Sequence, residues 1–165
     1  MRLDDTKGQV PLLLGLFLFL TALLAVPAAM AGDDPQSLFA QGQRYFTQGD
    51  YHKAVHSLKA AVELAPGNAH YHHWLGMSYG RLAEKANWFS AISLSRKTLH
   101  ELQAAVSLDN SDIGALQDLM EYYQQAPGFL GGNRSKAEVI AKRLEVLGAA
   151  GVTQETSRKP ANSPS

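Results

Sequence analysis

Cysteine is missing from this chain of 165 residues, which removes disulfide frameworks, thiolate metal sites, Cys nucleophiles and lipid attachment to a thiol after a leader. Net charge is missing too. The 15 Lys and Arg balance the 15 Asp and Glu, and no basic run supplies locally what the total lacks. The broad electrostatic attraction behind non-specific nucleic-acid binding is therefore absent, and no nucleic-acid partner is expected. From Leu38 to Leu64 no stretch alternates apolar and polar residues with period two, which argues against a strand there. Length bounds what is left to a single domain, or a domain with a tail.

The one long apolar run lies at the start. Residues 1–31 read as a polar opening, an apolar stretch from Leu12 to Val26, a break at Pro27, then Ala29-Met30-Ala31. This is the layout of a secretory signal with an Ala-x-Ala cleavage site before Gly32. As a helix this fifteen-residue stretch would reach about 22 Å, short of the roughly 30 Å hydrocarbon core. A retained N-terminal anchor in an inner membrane is the alternative. The uncharged stretch runs from Gly8 to Gly32, and Asp4 and Asp5 cancel Arg2 and Lys7. Cleavage would remove two acids and two bases, leaving a neutral mature chain that is periplasmic or secreted.

Residues 148–165 are dominated by Gly, Ser, Thr, Pro and Asn, with Val152 the one sizeable apolar side chain. So little apolar surface cannot offset the entropy of ordering, and a disordered tail is expected. The folded domain is then 35–147. Within it, Leu38, Tyr45, Ala54, Leu58, Ala61, Val62 and Ala65 recur at helical spacings, interrupted at Gln48-Gly49-Asp50 and Pro66-Gly67-Asn68. Two helices and a turn follow. Each is marginal alone and needs a neighbour. A second copy supplies one: Ala61-Val62-Glu63-Leu64 aligns with Ala105-Val106-Ser107-Leu108 at an offset of 44. Units of about 35–68, 69–112 and 113–147 result.

Gly42, Tyr45, Ala54, Leu58, Ala61 and Pro66 have the spacing of the tetratricopeptide repeat, a helix-turn-helix of about 34 residues, and the chain resembles that family over about Leu38 to Leu147. The second unit keeps Leu75, Gly76, Tyr79, Leu102 and Ala105 but carries ten extra residues between Tyr79 and Leu102, which predicts longer helices breaking near Asn87. The third keeps Leu116, Leu119 and Tyr123, places Met120 where a small residue belongs, and reaches Ala137 after an insertion, Ala126-Pro127-Gly128-Phe129-Leu130-Gly131-Gly132. That insertion, with Tyr122-Tyr123-Gln124-Gln125 before it, resembles a group of exported bacterial tetratricopeptide proteins. The implied fold is all-α, an α-solenoid of about three units. Independently, Gly42 and Gly76 each cost a helix about 1 kcal/mol relative to Ala, a cost that close approach of the paired helix, at Ala54 and Ala61 in the first unit, would offset.

Candidate chemistry is sparse. Gly76-Met77-Ser78-Tyr79-Gly80 has the letters of a hydrolase nucleophile elbow, but that motif needs a strand before the turn, and Ala69 to Leu75 reads as helix. His52 and His56 share a helix face at a spacing that can hold a metal, and His70, His72 and His73 cluster at the start of the next helix. Metal or haem handling through these histidines is the rival function. Exposed or partly packed histidines are the plainer reading, and no catalytic residue, cofactor or metal site is assigned. Trp74, Met77 and Trp88 read as core or inter-repeat packing. Asn133 reads as the cap of the last helix, with Ser135 in its first turn.

What the resemblance implies about binding is a groove lined by set positions of each first helix. These are Gln36, Phe39, Gln43, Phe46 and Thr47 in the first unit. In the second they are His70, His73, Met77, Gly80 and Arg81. In the third they are Gly114, Gln117, Glu121, Gln124 and Gln125. Such a surface is mostly uncharged and suits an extended peptide backbone with an apolar side chain near Phe39, Phe46 and Met77. Some relatives clamp a C-terminal carboxylate with Lys and Asn. Here Phe39, Gln43 and Trp74 stand in those places, so such capture is not expected. Val139, Ile140, Leu144, Val146 and Leu147 leave the last helix in need of cover. The Phe129-Leu130 loop is expected to plug it, with a partner-binding loop as the alternative. The sequence thus describes an exported repeat scaffold for a protein or peptide partner, an adaptor or assembly factor of the cell envelope, with a membrane-anchored structural subunit as a further alternative.

Overall fold

The computed structural model describes the backbone of residues 34–158 and the side chains of 34–148. The proposed leader, 1–31, lies outside the described residues. Among the described residues six α-helices follow one another: α1 (Pro35–Thr47), α2 (Tyr51–Leu64), α3 (Ala69–Lys85), α4 (Trp88–Leu108), α5 (Ile113–Gln125) and α6 (Arg134–Arg158). A short 3-10 turn, Gly128–Leu130, joins the last two. Among the described residues there is no strand, and no helix is long and apolar enough to cross a membrane.

Each helix begins at an Asp or Asn whose side chain accepts from an otherwise orphaned backbone N–H. Asp34, Asp50, Asn68, Asn87 and Asp112 cap α1 to α5. Asn133 takes the Lys136 N–H of α6 at 3.0 Å. Short polar oxygens at these six positions explain the boundaries, because they satisfy donors that have no partner inside the helix. The ten extra residues of the second unit lengthen both of its helices, to 17 and 21 residues. Between α1 and α2 the chain reverses through Gly49, whose φ of 79° suits a residue without Cβ.

Helices pack in sequence, α1 on α2, α3 on α2 and α4, α5 on α4 and α6, with a further contact between α1 and α3. Two clusters form the core. Ala54, Leu58, Leu75 and Tyr79 gather Phe39, Phe46 and Trp74 between the first two helix pairs. Leu102, Leu116, Leu119, Tyr123, Ala137 and Ile140 gather the rest. Most of the signature residues are thus buried, with Tyr45 half-buried and Pro66 exposed in the turn. Gly42 and Gly76 both sit at close helix contacts, although the neighbours differ from expectation: Leu58 faces Gly42, and Leu102 faces Gly76.

Three sequence expectations change. First, α6 runs to Arg158 rather than stopping at Leu147, so residues 148–158 are helical instead of a disordered tail. Apolar periodicity stops there, but extending an existing helix adds one hydrogen bond per residue fixed and needs no new nucleus. Ala149, Ala150, Gln154 and Glu155 also have favourable propensity.

Second, Trp88 is 65 % exposed at the start of α4, with Phe89 beside it at 83 %. Both rings stand in the first turn of α4, within the insertion that lengthens the second hairpin, and Trp88 meets Phe129 of the 126–132 loop at 6.3 Å. Third, Phe129 is 61 % exposed, so it does not plug the last helix. The loop is held instead against α4 and α5. Tyr122 Oη lies 2.9 Å from the carbonyls of both Ser95 and Leu130, and Gly131 approaches Leu99 too closely for a Cβ. Leu130 is half-buried. The inner face of α6 is covered by the domain itself through Ala137, Ile140, Leu144 and Leu147, leaving Val139 and Val146 outward.

Candidate functional site

Three helix faces converge on a cleft of about 540 Å³, with Phe46 of α1 at one end. Met77, Gly80, Arg81 and Glu84 come from α3, spaced so that all lie on one face. Ser95, Thr98 and Leu102 come from one face of α4, and Asp118, Glu121, Tyr122 and Gln125 from one face of α5. Met77, Leu102, Tyr122 and Phe46 supply apolar surface. Thr98 is buried, its hydroxyl donated to the Leu94 carbonyl at 3.1 Å, so at that position the cleft meets mainly its methyl group.

Charge is concentrated at the rim. Arg81 donates to both carboxylate oxygens of Glu84, at 3.3 and 3.2 Å. That bond, followed by the attraction of the Glu84 and Glu121 charges, holds the guanidinium further in its protonated form. Gln125 donates its amide to Glu121 at 2.8 Å. Asp118 accepts from His73 Nε2 at 2.7 Å. Three carboxylates therefore stand against one guanidinium, among lining residues that are otherwise uncharged.

Of the groove residues read from the sequence, Phe46, Met77, Gly80, Arg81, Glu121 and Gln125 line this cleft. Phe39 is stacked on Tyr71 with ring centroids 4.7 Å apart and meets Trp74 edge-on. It is occupied by packing. His73 is buried and acts on the cleft only through Asp118. His70 is exposed, 3.6 Å from Asp112. Gln36, Thr47, Gln117 and Gln124 are exposed away from the cleft lining, and Gln43 is half-buried. Glu84 and Asp118 line the cleft although neither falls on a groove position of the repeat. A helical step from Arg81 to residue 84, and from Glu121 back to 118, finds them both.

The rival chemistries meet definite geometry. Ser78 is fully buried in the middle of α3 and donates its hydroxyl to the Trp74 carbonyl at 2.8 Å; it is no elbow. His72 places Nδ1 2.7 Å from Glu101 and Nε2 3.0 Å from the Pro66 carbonyl. Both ring nitrogens thus face acceptors, which leaves no lone pair directed at a metal. Neighbouring His73 turns to a different carboxylate. His52 and His56 are exposed on α2. Among the described residues no group of three His, Asp or Glu is placed to hold a metal ion. A separate cleft of about 700 Å³, lined in part by Tyr51, His52, Leu82, Lys85 and Leu94, lies along the helix turns.

Comparison with known proteins fits this architecture. Residues 42–82 match the TPR repeat family model, and that stretch spans the close contact at Gly42, all of α2 and α3 as far as Leu82. No curated protein matches the chain. Tetratricopeptide repeats are in general non-catalytic units of protein–protein interaction. With its helices paired around those signature residues, the stretch 42–82 is similar to the TPR repeat.

Proposed function

We propose that the protein is an exported adaptor or assembly factor that holds a protein or peptide partner in the cleft between α3, α4 and α5. The observation that carries this reading is the cleft itself, with an apolar floor at Met77, Leu102 and Tyr122 inside a polar rim. This is the composition that protein recognition uses: apolar contacts for affinity and polar groups for register. Export rests on the apolar run from Leu12 to Val26 and the Ala29-Met30-Ala31 site, and the setting proposed is the periplasm or the cell exterior.

Capture from native envelopes with the tagged full chain tests the scaffold reading. A specific partner should be retained by the wild type and lost with Met77→Glu, whose circular dichroism and melting temperature serve as the folding control. Equal retention by a folded Met77→Glu variant would remove the cleft from the interface. N-terminal sequencing of the chain recovered from cells tests export. A start at Gly32 supports cleavage, whereas an intact leader with membrane fractionation supports the anchored alternative.

Trp88, Phe89 and Phe129 support a second reading of the 126–132 loop as an interface. The rings of Trp88 and Phe129 pack at 6.3 Å yet remain mostly in solvent. Clustered exposed aromatics are characteristic of contact surfaces.

A further inference from the structure

We infer that the partner segment held by the α3–α4–α5 cleft is basic, with a Lys or Arg side chain laid over the apolar floor and its cation at the acidic rim. The inference rests on the proposed role of the cleft and adds the chemistry of what fills it.

The charges decide the sign. Glu84, Asp118 and Glu121 line the cleft from two sides, and Arg81 is the sole Lys or Arg among its lining residues. Arg81 is committed to Glu84, and Glu121 lies close enough to add to its attraction. No Lys or Arg pairs with Glu121 or Asp118 among the described ion pairs; Glu121 accepts only from the neutral amide of Gln125, and Asp118 from His73. Among its lining residues the cleft has three acids against one base, in a chain whose 15 acids and 15 bases balance. A walled cleft lined by one sign of charge focuses potential on its occupant.

Shape agrees with charge. The floor offers Met77, Leu102 and Tyr122 to the methylene stem of a long cationic side chain, which buries its stem while keeping its head polar. Met adapts to irregular apolar surfaces. Glu121 and Asp118 stand three residues apart on one face of α5, so both can approach the same cation. An acidic segment would meet those carboxylates at short range, and like-charge contact at an interface is strongly unfavourable.

The test uses short fluorescent peptides that share a Leu and Ser frame and carry paired Lys, paired Glu or neither, titrated against the full chain. The Lys peptide should bind at least about tenfold more tightly than the Glu peptide, with the gap narrowing at high salt. Glu84→Gln with Glu121→Gln, both at exposed positions, should weaken the Lys peptide roughly tenfold and leave the neutral peptide unchanged. Arg81→Gln should tighten the Lys peptide by freeing Glu84. Equal binding of all three peptides, abolished by Met77→Glu, would overturn the charge inference and leave the cleft reading standing. Preference for the Glu peptide, lost in Arg81→Gln, would reverse the assignment and make Arg81 the anchor. Failure of every peptide to bind would overturn both readings.

Discussion

Gly42 of α1 lies so close to Leu58 of α2 that a Cβ at residue 42 would come within 2.5 Å of the Leu58 Cγ. Leu58 is fully buried and held by Ala54, Leu75 and Tyr79, so it has little room to move. The same test at Gly76 finds Leu102 at 3.1 Å, and at Gly80 finds Thr98 at 3.6 Å. Three helical glycines thus form a graded series. Alanine should gain about 1 kcal/mol of helix propensity at each, against an overpacking cost of about 1–3 kcal/mol where the neighbour cannot yield. Gly42→Ala should lower the melting temperature, Gly76→Ala should change it less, and Gly80→Ala should leave it unchanged or raise it. Calorimetry of the three variants checks the order. A Gly42→Ala protein as stable as wild type would show that the two helices are not in this contact.

His72 joins three parts of the chain, since its ring binds Glu101 on α4 and the Pro66 carbonyl in the turn before its own helix. Its side chain and that of Glu101 are mostly buried, at 11 % and 14 % exposure. Removing one partner strands the other, so His72→Ala and Glu101→Ala should each cost about 1–3 kcal/mol. The double variant should cost less than the two together by roughly 0.5–3 kcal/mol, the signature of direct coupling. Denaturant titration of the cycle measures this. Additive costs would mean that the pair contributes nothing as a pair.

These two cases show what the sequence made legible and what it did not. Helix starts were readable because each depends on a local signal, a break that ends in Asp or Asn followed by a 3.6-residue period, whereas the end of α6 at Arg158 carries no such signal. The close contact at Gly42 was readable as well, since a helical glycine needs a reason, although the facing residue is Leu58 rather than Ala54 or Ala61. The cleft was only half readable. Taking fixed groove positions from each unit finds Met77, Arg81 and Glu121, but stops one turn short of Glu84 and Asp118, where the rim charge lies. His73 falls in the groove register, yet the approach of α5 buries it against Asp118. Burial across units depends on how inserted residues aim the helices, and the ten extra residues before Leu102 carry no periodic mark of that direction. For the same reason Trp88 reads as core and stands in solvent.

Acid should weaken the fold through two carboxylates in the turns that flank helices. Asp50 is held below its ordinary value of 3.8 mainly by its bond to the Lys53 side chain, then by the Lys53 backbone N–H. Asp109 is lowered likewise, first by the hydroxyl of Ser111 and then by its N–H. Both bind protons less readily when folded, so the stabilisation is complete above about pH 4 and is lost as the pH falls through the lowered folded value. Melting curves between about pH 6 and pH 2.5 should fall less steeply for an Asp50→Asn, Asp109→Asn variant, which keeps an acceptor oxygen at the cap of α2 and in the turn after α4. Parallel curves for variant and wild type would contradict this.

The 126–132 loop should depend on Tyr122 and not on Phe129. The Tyr122 hydroxyl faces the Ser95 and Leu130 carbonyls at 2.9 Å each, and burial raises its pKa above the ordinary 10.0. A phenol that ionises less readily when folded stabilises fully below that value and progressively less as the pH rises through the folded one. Tyr122→Phe removes the donor, so it should cost about 1–2 kcal/mol and flatten the alkaline fall in melting temperature. Phe129→Ser touches a ring that is 61 % exposed, and its stability should stay within about 0.5 kcal/mol of wild type. The two outcomes separate the roles physically: Tyr122 anchors the loop backbone, while the aromatic ring that the loop displays beside Trp88 remains free for contact. A large loss of stability in Phe129→Ser would restore the ring to the core, whereas loss of partner binding or self-association alone, read by sedimentation, would assign it to an interface.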